Sequence, residues 1–287
     1  TDYVRNANIF FKNMFSPSLN SLITHTKGTN IYGVSEGESE DIILVGAHRD
    51  TIMTVDGAED NGSGTASILE LARVLSRSNH HYTYIFVSFD AEEVGLMGSK
   101  AFVSKHRDLP IKLAICLDVV GSKGADRIGI FQYTNSMATS PMWTVGLSQN
   151  IADSLNRELY YFIATTSSNK IQNTSLDIFK TYFTLKTADY VGTDSGSFFT
   201  KGVPAVGFMA TKEGEILKSK TNFRQIHTPE DSFDKISPNT LEIVGKFTEQ
   251  YIRSLEMNNN MALSMSGKNY MILGNKYVPG VMINKIG

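Results

Sequence analysis

Three apolar runs, Ile42–Ala47, Tyr82–Phe89 and Ile111–Leu117, each stop at residues that bind cations: His48, the Asp90-Ala-Glu92-Glu93 cluster, and Asp118. The runs are short, rich in β-branched and aromatic residues, and read as buried strands. Between them lie helical patterns, Ser67–Leu75 with Ile68, Leu71 and Leu75 on one face, and Gly98–His106, which ends near Pro110. Strand, helix, strand, helix, strand is the order that builds a parallel sheet with right-handed crossovers. In an open parallel sheet all carboxyl ends lie on one edge, so these three groups converge although they are far apart in sequence.

The acidic cluster sets the chemical problem. Asp90, Glu92 and Glu93 place three repelling charges in four positions directly after a strand, where a sheet opens its crevice. A solvated turn is the bland reading of that stretch alone. The alternative is a cation site with one carboxylate left over for proton transfer, which needs ligands from elsewhere. His48-Arg49-Asp50 supplies an imidazole and, two residues on, a carboxylate able to accept its other ring N–H. Asp60, after Gly57-Ala-Glu, falls at a turn on the same edge. His227-Thr-Pro-Glu-Asp231 adds a second imidazole, and Asp231 either positions that segment or caps the next turn. Two histidines and at least three carboxylates suit Zn, Mn or Co. They exceed the three protein ligands that a single catalytic zinc requires. Two ions sharing one carboxylate would use five ligands, leaving one of the adjacent Glu92 and Glu93 to take a proton from water.

The remaining sequence narrows the setting. With 27 basic and 29 acidic residues the net charge is -2, so nothing argues for nucleic acid or an anionic membrane surface as partner. No run approaches the roughly 20 apolar residues of a membrane-spanning helix. Cys116, the one cysteine, lies in an apolar run and reads as core; it excludes an intrachain disulfide and a thiolate-rich zinc site. The Gly-rich entry to the first helix, Asp60–Thr65, lacks the lysine of a phosphate cradle, and its Asp would repel phosphate. Further expectations are a helix over 2–15, a strand pair over 22–34, a strand at 128–133, a helix over 141–155, a loop over 164–175, a strand at 204–208, an amphipathic helix over 241–255 and a terminal hairpin after 258. One domain over 1–287 is expected, with a catalytic core at about 40–256 and an extension of unknown role at 258–287. The chain opens Thr-Asp-Tyr without Met. The expectation drawn from this is a processed product, secreted or extracellular, with oligomeric state left open.

Six motifs, Gly46-Ala-His-Arg-Asp-Thr51, Gly57-Ala-Glu-Asp-Asn-Gly-Ser-Gly64, Asp90-Ala-Glu-Glu-Val-Gly-Leu-Met-Gly-Ser99, Leu117-Asp-Val-Val-Gly121, Thr193-Asp-Ser-Gly-Ser-Phe198 and Ile226-His-Thr-Pro-Glu-Asp-Ser232, occur in that order. Together they resemble those of the co-catalytic dizinc aminopeptidases, which include bacterial leucyl aminopeptidases and vacuolar aminopeptidase Y. The resemblance implies an α/β fold of three layers, α/β/α, with a mixed, mostly parallel central sheet. It implies two Zn2+ per chain, with Mn2+ or Co2+ as substitutes, bridged by Asp60. One ion would also bind His48 and Asp118, the other Glu93 and His227. Glu92 would be the general base, Asp50 the partner of His48, Asp194 a buried supporting acid, and Tyr190 part of the substrate site. The implied reaction is hydrolysis of N-terminal residues from peptides with a free N-terminus, through a dizinc-bound hydroxide. The family usually has His after the acid of the Asp194 motif, where this chain has Ser195.

Two alternatives keep the fold. Glutaminyl cyclases resemble the family and use one zinc for an acyl transfer; relatives such as the transferrin receptor are non-catalytic binding domains. Val119, Phe208, Met209 and Ile226 flank the expected site and are candidates either for an apolar substrate pocket or for core.

Overall fold

The computed structural model describes residues 28–131, 139–147, 183–189, 193–212, 225–256, 272–273 and 276–277. The expected helix at 2–15, loop at 164–175 and the site residue Tyr190 lie outside them. Eight strands form one sheet: β1 (Ile31–Ser35), β2 (Ser39–His48), β3 (Tyr82–Phe89), β4 (Ile111–Leu117), β5 (Arg127–Phe131), β6 (Thr139–Gly146), β7 (Phe183–Asp189) and β8 (Ala205–Thr211). Their spatial order is β1-β3-β2-β4-β8-β5-β6-β7. The sheet is mixed, as expected. Parallel pairing joins the four strands β3, β2, β4 and β8, and antiparallel pairing adds β1 on one flank and β5, β6 and β7 on the other.

Among the described residues four helices cover it: α1 (Gly64–Leu75), α2 (Met97–Lys105), α3 (Ser195–Phe199) and α4 (Pro238–Glu256). The pleat sorts alternate residues onto opposite faces. Ile43, Val45 and Ala47 of β2, Tyr84 and Phe86 of β3, and Leu113, Ile115 and Leu117 of β4 pack with Ile68, Leu71 and Leu75 of α1 and Phe247 and Tyr251 of α4. Their neighbours in sequence, Ile42, Leu44, Ile85, Val87, Phe89, Ala114 and Cys116, pack instead with Phe102 and Val103 of α2 and Phe198 of α3. Two separate apolar clusters, one on each face, make the three layers. The apolar runs are continuous because both faces of the central strands are buried.

Helix α4 starts as its sequence requires. Pro238 occupies the first turn, where its missing N–H is no loss, and the Ser237 hydroxyl accepts the Thr240 N–H at 3.2 Å. Phe208 of β8 meets Phe247 and Tyr251 edge-on at 5.5 and 5.2 Å, so it is core rather than pocket lining. Val119 and Met209 are likewise buried.

One expectation is corrected. The helix proposed for 141–155 is, over its described part, the strand β6. Trp143, Thr144 and Val145 are strand formers, and the sheet supplies partners on both sides, Ile130 and Leu185 standing opposite Trp143. Among the described residues Pro141 pairs with β7 alone, just beyond the described β5 register. Of the strand pair expected over 22–34, the described part is the strand Ile31–Ser35, which pairs with β3, and residues 22–27 lie outside the described residues. Near the end of the chain, Ile272–Leu273 and Lys276–Tyr277 form a short antiparallel pair.

Candidate metal centre

The spatial order places β2 between β3 and β4, so the chain passes from β2 to β3 on one side and then crosses back over β2 to β4 on the other. That is the switch point where an open α/β sheet forms its crevice. His48 ends β2, the Glu92–Glu93 pair follows β3, and Asp118 follows β4. The Asp60 loop, a kinked turn at Ala58–Ser63 in which Asp60 and Asn61 leave the helical conformation, reaches the same edge.

The four are brought together with His227. His48 Nε2 lies 3.2 Å from Asp60 Oδ1 and 3.3 Å from Asp118 Oδ1. The other oxygen of Asp60, Oδ2, is 2.9 Å from His227 Nε2, which is 3.1 Å from Glu93 Oε2. Two groups result, His48–Asp60–Asp118 and Asp60–Glu93–His227, each able to offer three ligand atoms within 4.8 Å of one another. Asp60 belongs to both, presenting one oxygen to each.

Hydrogen bonds between side chains and backbone fix the loop that carries Asp60. Asn61 uses both ends of its amide: Nδ2 donates to Leu117 O at 2.8 Å, while Oδ1 accepts the N–H groups of Gly64 at 2.9 Å and Val119 at 3.3 Å. Ser63 donates to Glu59 O at 2.7 Å and accepts Val120 N–H at 3.0 Å. Thr65 donates to His48 O at 2.8 Å. This stitching brings the loop onto the ends of β2 and β4 so closely that a Cβ at Gly64 would lie 2.6 Å from Leu117 O, which admits only glycine. Ala91, Val119 and His227 hold φ of 56°, 52° and 62°, left-handed conformations unusual for these residues and adjacent to or within the ligand set.

Asp50 and Asp231 take roles that their spacing did not disclose. His48 Nδ1 donates to the Asp50 backbone carbonyl at 3.0 Å; the Asp50 carboxylate is 3.7 Å away. That carboxylate instead accepts the N–H groups of Glu92 at 3.0 Å and Glu93 at 3.1 Å, so it aims both glutamates. Asp231 accepts the N–H groups of Glu59 at 2.7 Å and Asp60 at 3.1 Å, and so ties the Asp60 turn to the histidine segment. Asp90 joins loops, accepting Thr29 N–H at 2.7 Å and pairing with Arg49 at 3.1 Å. Asp194 and Ser195 are buried, and Asp194 Oδ1 and Ser195 Oγ have no partner among the described residues.

The electrostatics call for positive charge. Hydrogen bonds to Asp60 and then Glu93 raise His227 to about 10. Burial opposes charging of His48, yet the charge of Asp118 and hydrogen bonds to it, Asp50 and Asp60 raise it well above the usual histidine range. Burial also opposes ionisation of Asp60, but hydrogen bonds from His227 and His48 hold it at about 2. Glu92 is pushed well above the usual range by loss of surrounding water and, against the pull of His48, by the charges of Asp194, Asp118 and Glu93. Burial pushes Asp194 up to about 7. The two imidazoles thus draw protons into the midst of the Asp60, Glu93 and Asp118 carboxylates, the place a metal cation would take.

Residues 30–252 match Peptidase family M28. The chain belongs to this family. Among its members, aminopeptidase YwaD of Bacillus subtilis (strain 168) is 28% identical over 229 residues, 77% of this chain and 43% of that protein. Leucine aminopeptidase 1 of Blastomyces gilchristii is 28% identical over 235 residues, covering 76% and 54%. The solved structure of a zinc aminopeptidase from Bacillus subtilis superposes with a TM-score of 0.57 at 25% identity, over 79% of this chain and 49% of that one. A glutaminyl cyclase from Porphyromonas gingivalis shares the fold, with a TM-score of 0.54 at 21% identity over 79% and 78%. The chain spans about half the length of the aminopeptidases it matches.

Proposed function

We propose that this M28 domain is a zinc aminopeptidase that holds two ions, one at His48, Asp60 and Asp118 and one at Asp60, Glu93 and His227. The observation that carries this reading is Asp60, whose two oxygens face the two histidines separately, 3.2 Å from His48 and 2.9 Å from His227. The donor set fits the ions: imidazole and carboxylate only, with protonated histidines standing in for cations and a buried Glu93 Oε1 without a partner among the described residues. Zinc there would supply Lewis acidity toward a carbonyl oxygen and toward water.

The residues divide the remaining work. Glu92, not needed as a ligand, takes a proton from the attacking water and returns it to the leaving amine, a role suited to a carboxyl whose surroundings resist permanent ionisation. Asp50 holds the adjacent amides so that Glu92 and Glu93 are positioned for different tasks.

Replacing Glu92→Gln is expected to leave the metal content at two ions per chain and to lower turnover of aminoacyl-anilides by ~10²- to 10⁴-fold, the usual contribution of acid–base catalysis. Elemental analysis and kinetics on the same sample test both halves. Activity of the variant above about a hundredth of wild type refutes the assignment of Glu92. One ion per chain together with cyclisation of N-terminal glutamine would replace the peptidase reading.

A further inference from the structure

The two ligand groups are supported unequally. In the first, His48 is 1% exposed and sits at the end of a central strand whose backbone is held by the ladder. In the second, the His227 side chain is 48% exposed and rides on the loop 225–231. Inside that loop Gln225 O accepts the Thr228 N–H at 3.1 Å and hydroxyl at 2.6 Å, and Thr228 O accepts Asp231 N–H at 3.0 Å. Two side chains anchor it to the turn before Asp60. Downstream of the histidine, Asp231 takes the amides of Glu59 and Asp60. Upstream, Gln225 Nε2 donates to Glu59 Oε2 at 2.5 Å.

Glu59 is the unexpected member. It is fully buried, it neighbours Asp60 and Asp231 rather than a cation, and its Oε1 has no partner among the described residues. A buried carboxyl with a free oxygen destabilises a fold unless its other contacts compensate, and an apolar side chain would fill the space without that penalty. Its one side-chain partner is Gln225, two residues from His227.

From this arrangement we infer that the Glu59–Gln225 hydrogen bond is a latch that positions His227 and so sets the metal affinity of the Asp60–Glu93–His227 group, leaving the His48–Asp60–Asp118 group unaffected. Glu59 and Gln225 are positioning residues, and the inference rests on the two-ion reading above. The latch ties the residue before the bridging ligand to the loop that carries the second histidine, so the distance between Asp60 and His227 is held from outside the ligand set.

The test titrates the metal-free full chain with Zn2+ by calorimetry and with Co2+ by visible absorption, with Glu93→Ala and Asp118→Ala assigning each binding step to a group. Gln225→Ala, and Gln225→Met, which keeps the length but not the donor, are expected to weaken the Glu93-dependent step by ~10- to 100-fold, the range for residues that orient ligands. The Asp118-dependent step should not move, and Glu59→Gln, which keeps an oxygen to accept from Gln225, should stay near wild type at both steps. Wild-type affinities at both steps in Gln225→Ala and Gln225→Met overturn the latch, as does an equal loss at both, which would mark a merely structural contact. A wild-type chain that binds only one ion overturns the two-ion reading and the latch with it.

Discussion

At the scale of single residues, the two-ion proposal separates groups that would meet the ions from groups that aim them. Asp50 illustrates the second kind, because one carboxylate accepts the amides of both Glu92 and Glu93. Asp50→Asn replaces one of those oxygens by a donor that faces an N–H. It is expected to lower kcat/KM by ~10- to 100-fold at saturating zinc without changing the metal content, measured by steady-state kinetics alongside elemental analysis. Unchanged kinetics would show that the backbone carbonyl contact to His48 is the only one that matters. The ligands themselves were legible in the sequence, since His48, Glu93 and Asp118 interrupt or follow apolar runs whose strand character is plain. Glu59, Asn61 and Gln225 were not legible as supports, and Asp231 was legible only as a support or cap of its own segment, not of Asp60. A polar residue in a loop has many possible partners, and which it takes depends on how far residues such as 61 and 117, or 59 and 225, are carried toward each other by the fold.

At the scale of elements, the turn at Ala58–Ser63 and helix α1 form a bracket across the ends of β2 and β4. Asn61 is its centre, satisfying Leu117 O and the amides of Gly64 and Val119 at once. Asn61→Ala leaves those buried groups unpaired and is expected to destabilise the metal-free protein by about 1–3 kcal/mol or more in urea unfolding, the penalty of an unsatisfied polar group. A change below a few tenths would mean that water replaces the amide fully. The strands β2, β3 and β4 were readable because burial on both faces leaves an unbroken apolar signature. Strand β6 was not readable: Pro141 and the residues after it suit a helix start, and only the presence of β5 and β7 on either side makes the extended form better. The antiparallel placement of β1 against β3 likewise depends on an edge that local sequence does not reveal.

At the scale of the whole molecule, the charge held at one sheet edge makes stability depend on pH and metal together. Burial raises Glu59 and Asp194 to about 7, so the folded state holds their protons more tightly than the unfolded one, and that contribution is lost as pH rises toward 7. His227, raised to about 10 by Asp60 and Glu93, contributes stability that is fully present below the usual histidine pKa and fades as pH rises through about 10. The signs agree, so the Tm of chelator-treated protein is expected to fall between about pH 5 and about pH 9. Zinc binds deprotonated ligands, so its affinity grows over the same interval, and the Tm gap between loaded and metal-free protein should widen with pH. Thermal unfolding with and without chelator measures this, and a gap that stays constant or narrows would contradict the charge balance described for the site. The order of the strands has a consequence for synthesis as well. Strand β4 ends at Leu117, but its second neighbour, β8, begins only at Ala205. Until the ribosome has delivered that strand, Ala114–Leu117 remains an open apolar edge, the kind of surface on which nascent chains aggregate. A chain stopped before residue 205 should therefore precipitate or remain bound to chaperones, whereas one that includes β8 can close the middle of its sheet.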